Sequence, residues 1–173
     1  MSRSSKVLRG RTLARSQALQ LLFQAEALNE SIECIVAGDY LISKGPLDPY
    51  AIRLASGAEA HRTEIDAWLR AVSENWALER MPGADRNLLR MAVYELRFGS
   101  VDDALDDAIV IDEAVELAKA YGTDDSASFV NGVLGRIARM DEEESLQTAG
   151  EFGDESPVQA AGESVHEELS HGL

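Results

Sequence analysis

One cysteine, Cys34, stands in 173 residues. An intrachain disulfide and a cysteine metal cluster are thereby excluded, and a reducing compartment fits. No apolar run reaches the length of a membrane span. The N-terminus is basic but lacks the apolar stretch of a signal peptide, so the expectation is a soluble, cytoplasmic chain without membrane contact. There is no glycine-rich phosphate loop, no histidine pair at metal-binding helical spacing and no nucleophile motif. His61 is a lone histidine and reads as a surface or packing residue. Asp102, Asp103, Asp106 and Asp107 lack the glycine and terminal glutamate of a calcium loop and read as a solvated acidic turn. Cys34 has no basic neighbour to lower its pKa and reads as inert packing. The residues therefore imply a binding module without catalysis, cofactor or metal.

Negative charge is missing from one stretch only. The net charge is -15, yet no acidic residue precedes Glu26, and Arg3, Lys6, Arg9, Arg11 and Arg15 stand together there. Residues 26–140 carry -10, and residues 141–173 carry another -10 with no basic residue. Non-specific nucleic-acid binding over the whole surface is thus excluded, and any such contact is confined to the basic arm and is salt-sensitive. By itself the arm also reads as a solvated terminus.

Apolar spacing predicts an all-α chain of about six or seven helices. The first spans about Thr12 to Leu28, with Ala14, Ala18, Leu21, Ala25 and Leu28 on one face; Arg11 and Arg15, four apart, are expected as surface neighbours. A weaker helix covers Asn29 to Ser43. Asp48-Pro49 reads as an N-cap and first helical residue opening a long helix to about Ser73. A short turn follows at Trp76 to Arg80, ended by Met81-Pro82-Gly83. The next helix runs from about Asp85 to Phe98, with Arg86, Arg90 and Arg97 placed on its polar side. Another, Ala108 to Tyr121, aligns Ile111, Ala114, Val115 and Ala118. The last, capped by Thr123 or Asp124, reaches about Met140, with Val130, Val133, Leu134 and Ile137 inside. Phe129 lies about 90° from the centre of that stripe at about 100° per residue, so its ring sits at the boundary. Gly132 and Gly135 each cost about 1 kcal/mol in a helix, which close approach of a neighbouring backbone or ligand would explain. The chain divides into a flexible basic arm (1–10), a helical domain (11–140) and an acidic tail (141–173) too poor in large apolar residues to fold.

The second half carries a distinctive series. Leu88-Leu89-Arg90-Met91-Ala92-Val93-Tyr94-Glu95-Leu96 is followed by Ile111-Asp112-Glu113-Ala114-Val115-Glu116-Leu117-Ala118-Lys119. Tyr121-Gly122 and Ser126-Ala127-Ser128-Phe129-Val130-Asn131-Gly132-Val133-Leu134 come next. With Ala14-Arg15 and Ala18-Leu19-Gln20-Leu21-Leu22-Phe23 at the front, this order resembles the NusB family of transcription antitermination factors over about residues 9–138. The resemblance implies a compact bundle in two small helical subdomains. It implies binding of boxA-type single-stranded RNA in nascent ribosomal RNA leaders together with the ribosomal protein NusE. The outcome in that family is read-through of terminators by RNA polymerase. Carried over residue by residue, the RNA contacts fall on Lys6, Arg9, Arg11 and Arg15 in the arm and on Asp125 and Phe129 at the last helix. The NusE-facing positions fall on Phe23, Glu79 and Asp85. The chain departs from the family at Thr12 and Leu13, which interrupt the arginines, at Phe23 where a tyrosine is common, and at Asp112 where asparagine is usual.

Two further readings share these residues. NusB-like domains also occur at the front of ribosomal-RNA methyltransferases, which need an additional α/β domain. A protein–protein adaptor with the arm as a spacer is the other. Either a monomer or a homodimer fits the sequence. If the first and last helices lie side by side, Arg11, Arg15 and Phe129 would line one groove.

Overall fold

The computed structural model describes residues 3–74, 76–99 and 105–140, with side chains from Gly10 onward. The expected acidic tail, Asp102 and Asp103, and the side chains of Lys6 and Arg9 lie outside the described residues. Those described form seven α-helices and a 3-10 turn without a strand: α1 (Arg3–Leu28), α2 (Ile32–Ala37), α3 (Pro49–Ala60), α4 (Arg62–Val72), the turn Leu78–Arg80, α5 (Gly83–Phe98), α6 (Asp107–Tyr121) and α7 (Ser126–Arg139). None is long and apolar enough to cross a membrane.

Helix α5 is the axis of the fold. It packs against α1, α3, α4, α6 and α7. Six consecutive residues, Leu88 to Val93, are buried, as expected of a helix enclosed all round. Over these residues the polar side foreseen for the helix has no solvent to face, while Arg86 and Arg97 nearer the ends stay partly exposed. Arg90 is buried, with Nε and Nη2 donating to the two oxygens of Asp66 at 2.7 and 2.9 Å and Nη1 donating to Glu26 at 2.7 Å. Arg86 donates to the same Glu26 carboxylate. Arg97 closes the far end of α7 by donating to the carbonyls of Ile137 and, at 3.0 Å, Met140.

Helix α1 starts at Arg3, well before Thr12. The preceding stretch holds no proline, and Gly10 alone costs the helix only about 1 kcal/mol. It ends at Asn29, whose φ of 53° lets the chain turn out of the helix. Only Ile32–Ala37 of the next predicted helix forms, capped by Ser31, whose Oγ accepts from Cys34 N at 3.1 Å. Cys34 itself is exposed rather than packed.

Beyond α2 the chain is irregular as far as Asp48, and three glutamines of α1 supply the backbone partners it lacks. Gln24 accepts from Leu41 N and donates to Leu41 O at 2.8 and 2.6 Å. Gln20 accepts from Ser43 N at 2.6 Å. Gln17, fully buried, donates to the carbonyls of Lys44 and Pro46 and accepts from Asp48 N, all at 2.8–2.9 Å. Spacings of three and four put these amides on one edge of the helix.

Asp48 caps α3 as the sequence indicates, its Oδ1 accepting from Tyr50 N at 2.7 Å. The long helix, however, divides at His61. Its first half packs on α1 and α5, its second on α5 and α7, so burying both apolar stripes requires a change of direction. The His61 ring stacks on Phe98 with centroids 4.0 Å apart. On α6 the buried residues are Val110, Ala114, Leu117 and Ala118; Ile111 and Val115 are only half-buried, so the stripe is rotated from the expected one. The α7 stripe is as predicted. Its glycines have no backbone against them: a Cβ at Gly132 meets open space and one at Gly135 meets the Arg139 side chain. The close approach occurs instead at Gly57, where a Cβ would fall 2.0 Å from the Tyr94 ring.

Candidate nucleic-acid interface

The basic edge of α1 is not what its spacing suggests. Arg15 is 1% exposed, and its Nε and Nη2 grip the Glu95 carboxylate at 2.9 and 2.5 Å. Its Nη1 donates to Glu113 at 3.3 Å. Burial opposes the guanidinium charge, but hydrogen bonding and attraction from Glu95, with help from Tyr50 and Glu113, outweigh it and hold the pKa above its usual value. The Tyr50 hydroxyl donates to Glu95 at 2.7 Å, and burial followed by the Glu95 charge pushes that phenol upward. Thr12 donates to Glu113 at 2.6 Å. The 15th residue is therefore a cross-tie between α1, α5 and α6, and it is withdrawn from the candidate RNA contacts. Arg11 is half-buried, with its guanidinium carbon 5.0 Å from the Tyr50 ring centroid in a cation–π contact; Arg53 makes a second at 5.2 Å. Lys6 and Arg9 lie on the same helix.

Phe129 sits half-buried on α7, as its angular position predicts. Beside it lies a cleft of about 380 Å³ bordered by Trp76, Pro82, Asp85, Asp125 and Phe129. Asp125 is exposed at the start of α7 and makes no capping bond with its side chain. The N-cap position falls at Asp125 rather than at the Thr123 or Asp124 expected; Ser126, the first helical residue, ties the preceding turn to α5, its Oγ accepting from Thr123 N and donating to Asp85 Oδ2, each at 2.8 Å. The first and last helices do not pack side by side. Helix α1 lies on α3, α5 and α2, while α7 lies on α6, α5 and α4. Arg15 meets α5 at Glu95, ten residues beyond the Asp85 that borders the Phe129 cleft, or about 15 Å along the axis. The single groove shared by Arg11, Arg15 and Phe129 is thus replaced by two separate places near opposite ends of α5.

The partner-facing candidates also separate. Phe23 is 50% exposed and borders a nearly wholly apolar groove of about 350 Å³ with Leu19, Leu41, Ala84 and Tyr121. Leu41, at 76% exposed, is the most open large apolar side chain among the described residues. Glu79 is exposed and pairs with Arg70 at 2.7 Å, which holds its carboxyl below the usual range. Asp85 is 5% exposed and engaged with Ser126, so it cannot present a carboxylate to basic side chains of a partner. None of Leu41, Tyr121 and Trp76 is a site residue on sequence grounds; Leu41 reads there as a packing residue, which its exposure contradicts. An exposed aromatic in a turn is the signal that could have pointed to Trp76; nothing local distinguishes Leu41.

The NusB family model matches residues 12–139. The transcription antitermination protein NusB of Salinispora arenicola is 43% identical over 131 residues, covering 74% of this chain and 94% of that protein. That of Saccharopolyspora erythraea is 43% identical over 129 residues, covering 74% and 86%. Among solved structures, T. maritima NusB superposes with a TM-score of 0.65 at 35% identity, covering 79% of this chain and 96% of the other. The structure described as antitermination factors NusB and NusE in complex with dsRNA gives 0.58 at 29% identity, covering 75% and 96%. The match runs through every helix of the fold, from the core-facing part of α1 to the end of α7, and on that ground the chain belongs to the NusB family.

Proposed function

We propose that this chain acts by binding rather than catalysis, taking boxA-type RNA jointly with NusE and supporting read-through of terminators by RNA polymerase in the cytoplasm. The observation that carries this reading is the similarity to a NusB solved with NusE and RNA, which extends over 96% of that chain. The surface is compatible with two ligands at once. The apolar groove around Phe23 suits a protein partner, and the half-buried ring of Phe129 offers a face for an unstacked base. With Arg15 internal, phosphates are left to Lys6, Arg9 and Arg11.

Retention of a boxA RNA by the full chain, with and without NusE, tests this. Binding is expected to be stronger with NusE and to weaken with salt. Three phosphate contacts on a single strand give a log–log slope of about -2. No retention at low salt in the presence of NusE would refute the proposal. The burial of Arg15 removes one cation from the arm and so favours the adaptor reading in one respect. That reading requires Arg11→Ala to leave RNA retention unchanged.

A further inference from the structure

Helix α3 carries one charged residue among its first ten, Arg53, and that residue is exposed. Its guanidinium carbon lies 5.2 Å from the centroid of the Tyr50 ring, and that of Arg11, from α1, lies 5.0 Å from the same centroid. Two cations from different helices are thus held no more than about 10 Å apart, and an anion placed across the pair is attracted by both. The ring between them is itself fixed. Tyr50 is half-buried, and its hydroxyl donates at 2.7 Å to Glu95, the carboxylate that Arg15 grips from α1. The buried Arg15 therefore acts on this surface indirectly, by holding the ring against which Arg11 and Arg53 lie. A cation–π contact engages the face of a guanidinium, whereas phosphate oxygens are taken by its edge, a planar fork of N–H donors, so one guanidinium can serve both. Tyr50 is the second residue of α3, so the two arginines meet at a helix N-terminus, which also favours an anion.

We propose that Arg53 is a further phosphate contact for RNA, and that Arg11 and Arg53, braced on Tyr50, carry the strand from the basic arm onto α3. The inference rests on reading the arm as RNA-binding. A phosphate is favoured over a carboxylate of the protein partner by position. The apolar groove at Phe23 lies twelve residues, or about 18 Å, further along α1. Phosphate contacts set affinity and register without reading sequence, so Arg53 strengthens binding of any strand that reaches it.

The test is a titration of boxA RNA against the full chain, with NusE present, at several salt concentrations. With Arg53 added to Lys6, Arg9 and Arg11, four contacts give the parent a log–log slope of about -3, and Arg53→Ala brings it to about -2, the value for the arm alone. Affinity at about 0.1 M salt falls about 3- to 10-fold, and a scrambled RNA of the same length loses the same factor. The thermal melt and the affinity for NusE stay unchanged. Arg62→Ala removes an equal charge from an exposed position on α4 and is expected to leave the slope at about -3. An equal fall in both variants means that net charge alone is being read, and overturns the contact. Tyr50→Leu takes away the brace but no charge, so affinity falls while the slope is kept; unchanged affinity there removes Tyr50 from the site. Unchanged affinity and slope in Arg53→Ala, with the parent still binding RNA, overturn the Arg53 contact and leave the RNA reading standing. Absence of binding by the parent at low salt overturns both.

Discussion

Arg15 offers a sharp test of the difference between a surface cation and an internal one. Truncating it in Arg15→Ala removes the bidentate donor from Glu95 and the weaker contact to Glu113. Glu95 is then left with one described donor, the Tyr50 hydroxyl, in a site where water has little access. Breaking a buried ion pair from one side costs about 3–5 kcal/mol, chiefly through the charge left behind. A domain of this size is stable by about 5–15 kcal/mol, so the loss is a large part of the whole. At about 2–4 °C per kcal/mol the melting temperature falls by roughly 6–20 °C. Urea and thermal unfolding measure this directly. Adding Glu95→Gln removes the stranded charge and is expected to recover part of the loss, a coupling that a double-mutant cycle quantifies. If Arg15→Ala melts within about 2 °C of the parent and instead loses RNA binding, then Arg15 faces solvent and the cross-tie is wrong. The same reasoning dictates that RNA assays use Arg11→Ala alone, since a double arginine variant mixes an interface effect with a folding one.

Glu26 joins Arg86 and Arg90, and its hydrogen bond from Arg86, helped by both positive charges against a burial cost, holds its carboxyl below the usual range. A lowered folded pKa contributes stability that is complete above the unfolded value of about 4.3 and disappears as pH falls through the folded one. Glu26→Gln is therefore expected to cost about 1 kcal/mol at neutral pH, allowing for solvent screening, with the gap to the parent closing below about pH 4 in urea titrations. Gly57→Ala drives a methyl group into the Tyr94 ring and is expected to destabilise by about 1–3 kcal/mol, read as a lower urea midpoint. Phe23→Ala should leave the melt nearly unchanged and weaken NusE binding by about 5-fold or more in a calorimetric titration; unaltered affinity would remove the apolar groove from the partner surface.

The sequence determined by itself that this is an all-helical protein, and it placed most of its helices. That information is local: apolar residues at steps of three and four, Asp48 before Pro49, and the α7 stripe each act within one or two turns. The family blocks were legible for the same reason, since each is contiguous within a single helix. Boundaries that depend on partners were not. His61 divides two helices because each half has a different neighbour, and the loop before Asp48 is held by glutamines that look like ordinary polar surface in α1. The functional arginines and carboxylates divided along the same line. Arg11 and Arg15 are equivalent in spacing, and only the packing of α5 against α1, with α6 laid on α5, puts Glu95 and Glu113 opposite one of them. Asp85 reads as a surface acid until Ser126, from a distant part of the chain, takes one of its oxygens. Tertiary structure alone decided which charges face solvent, because burial is set by what packs opposite a side chain, and spacing along one helix carries no record of that.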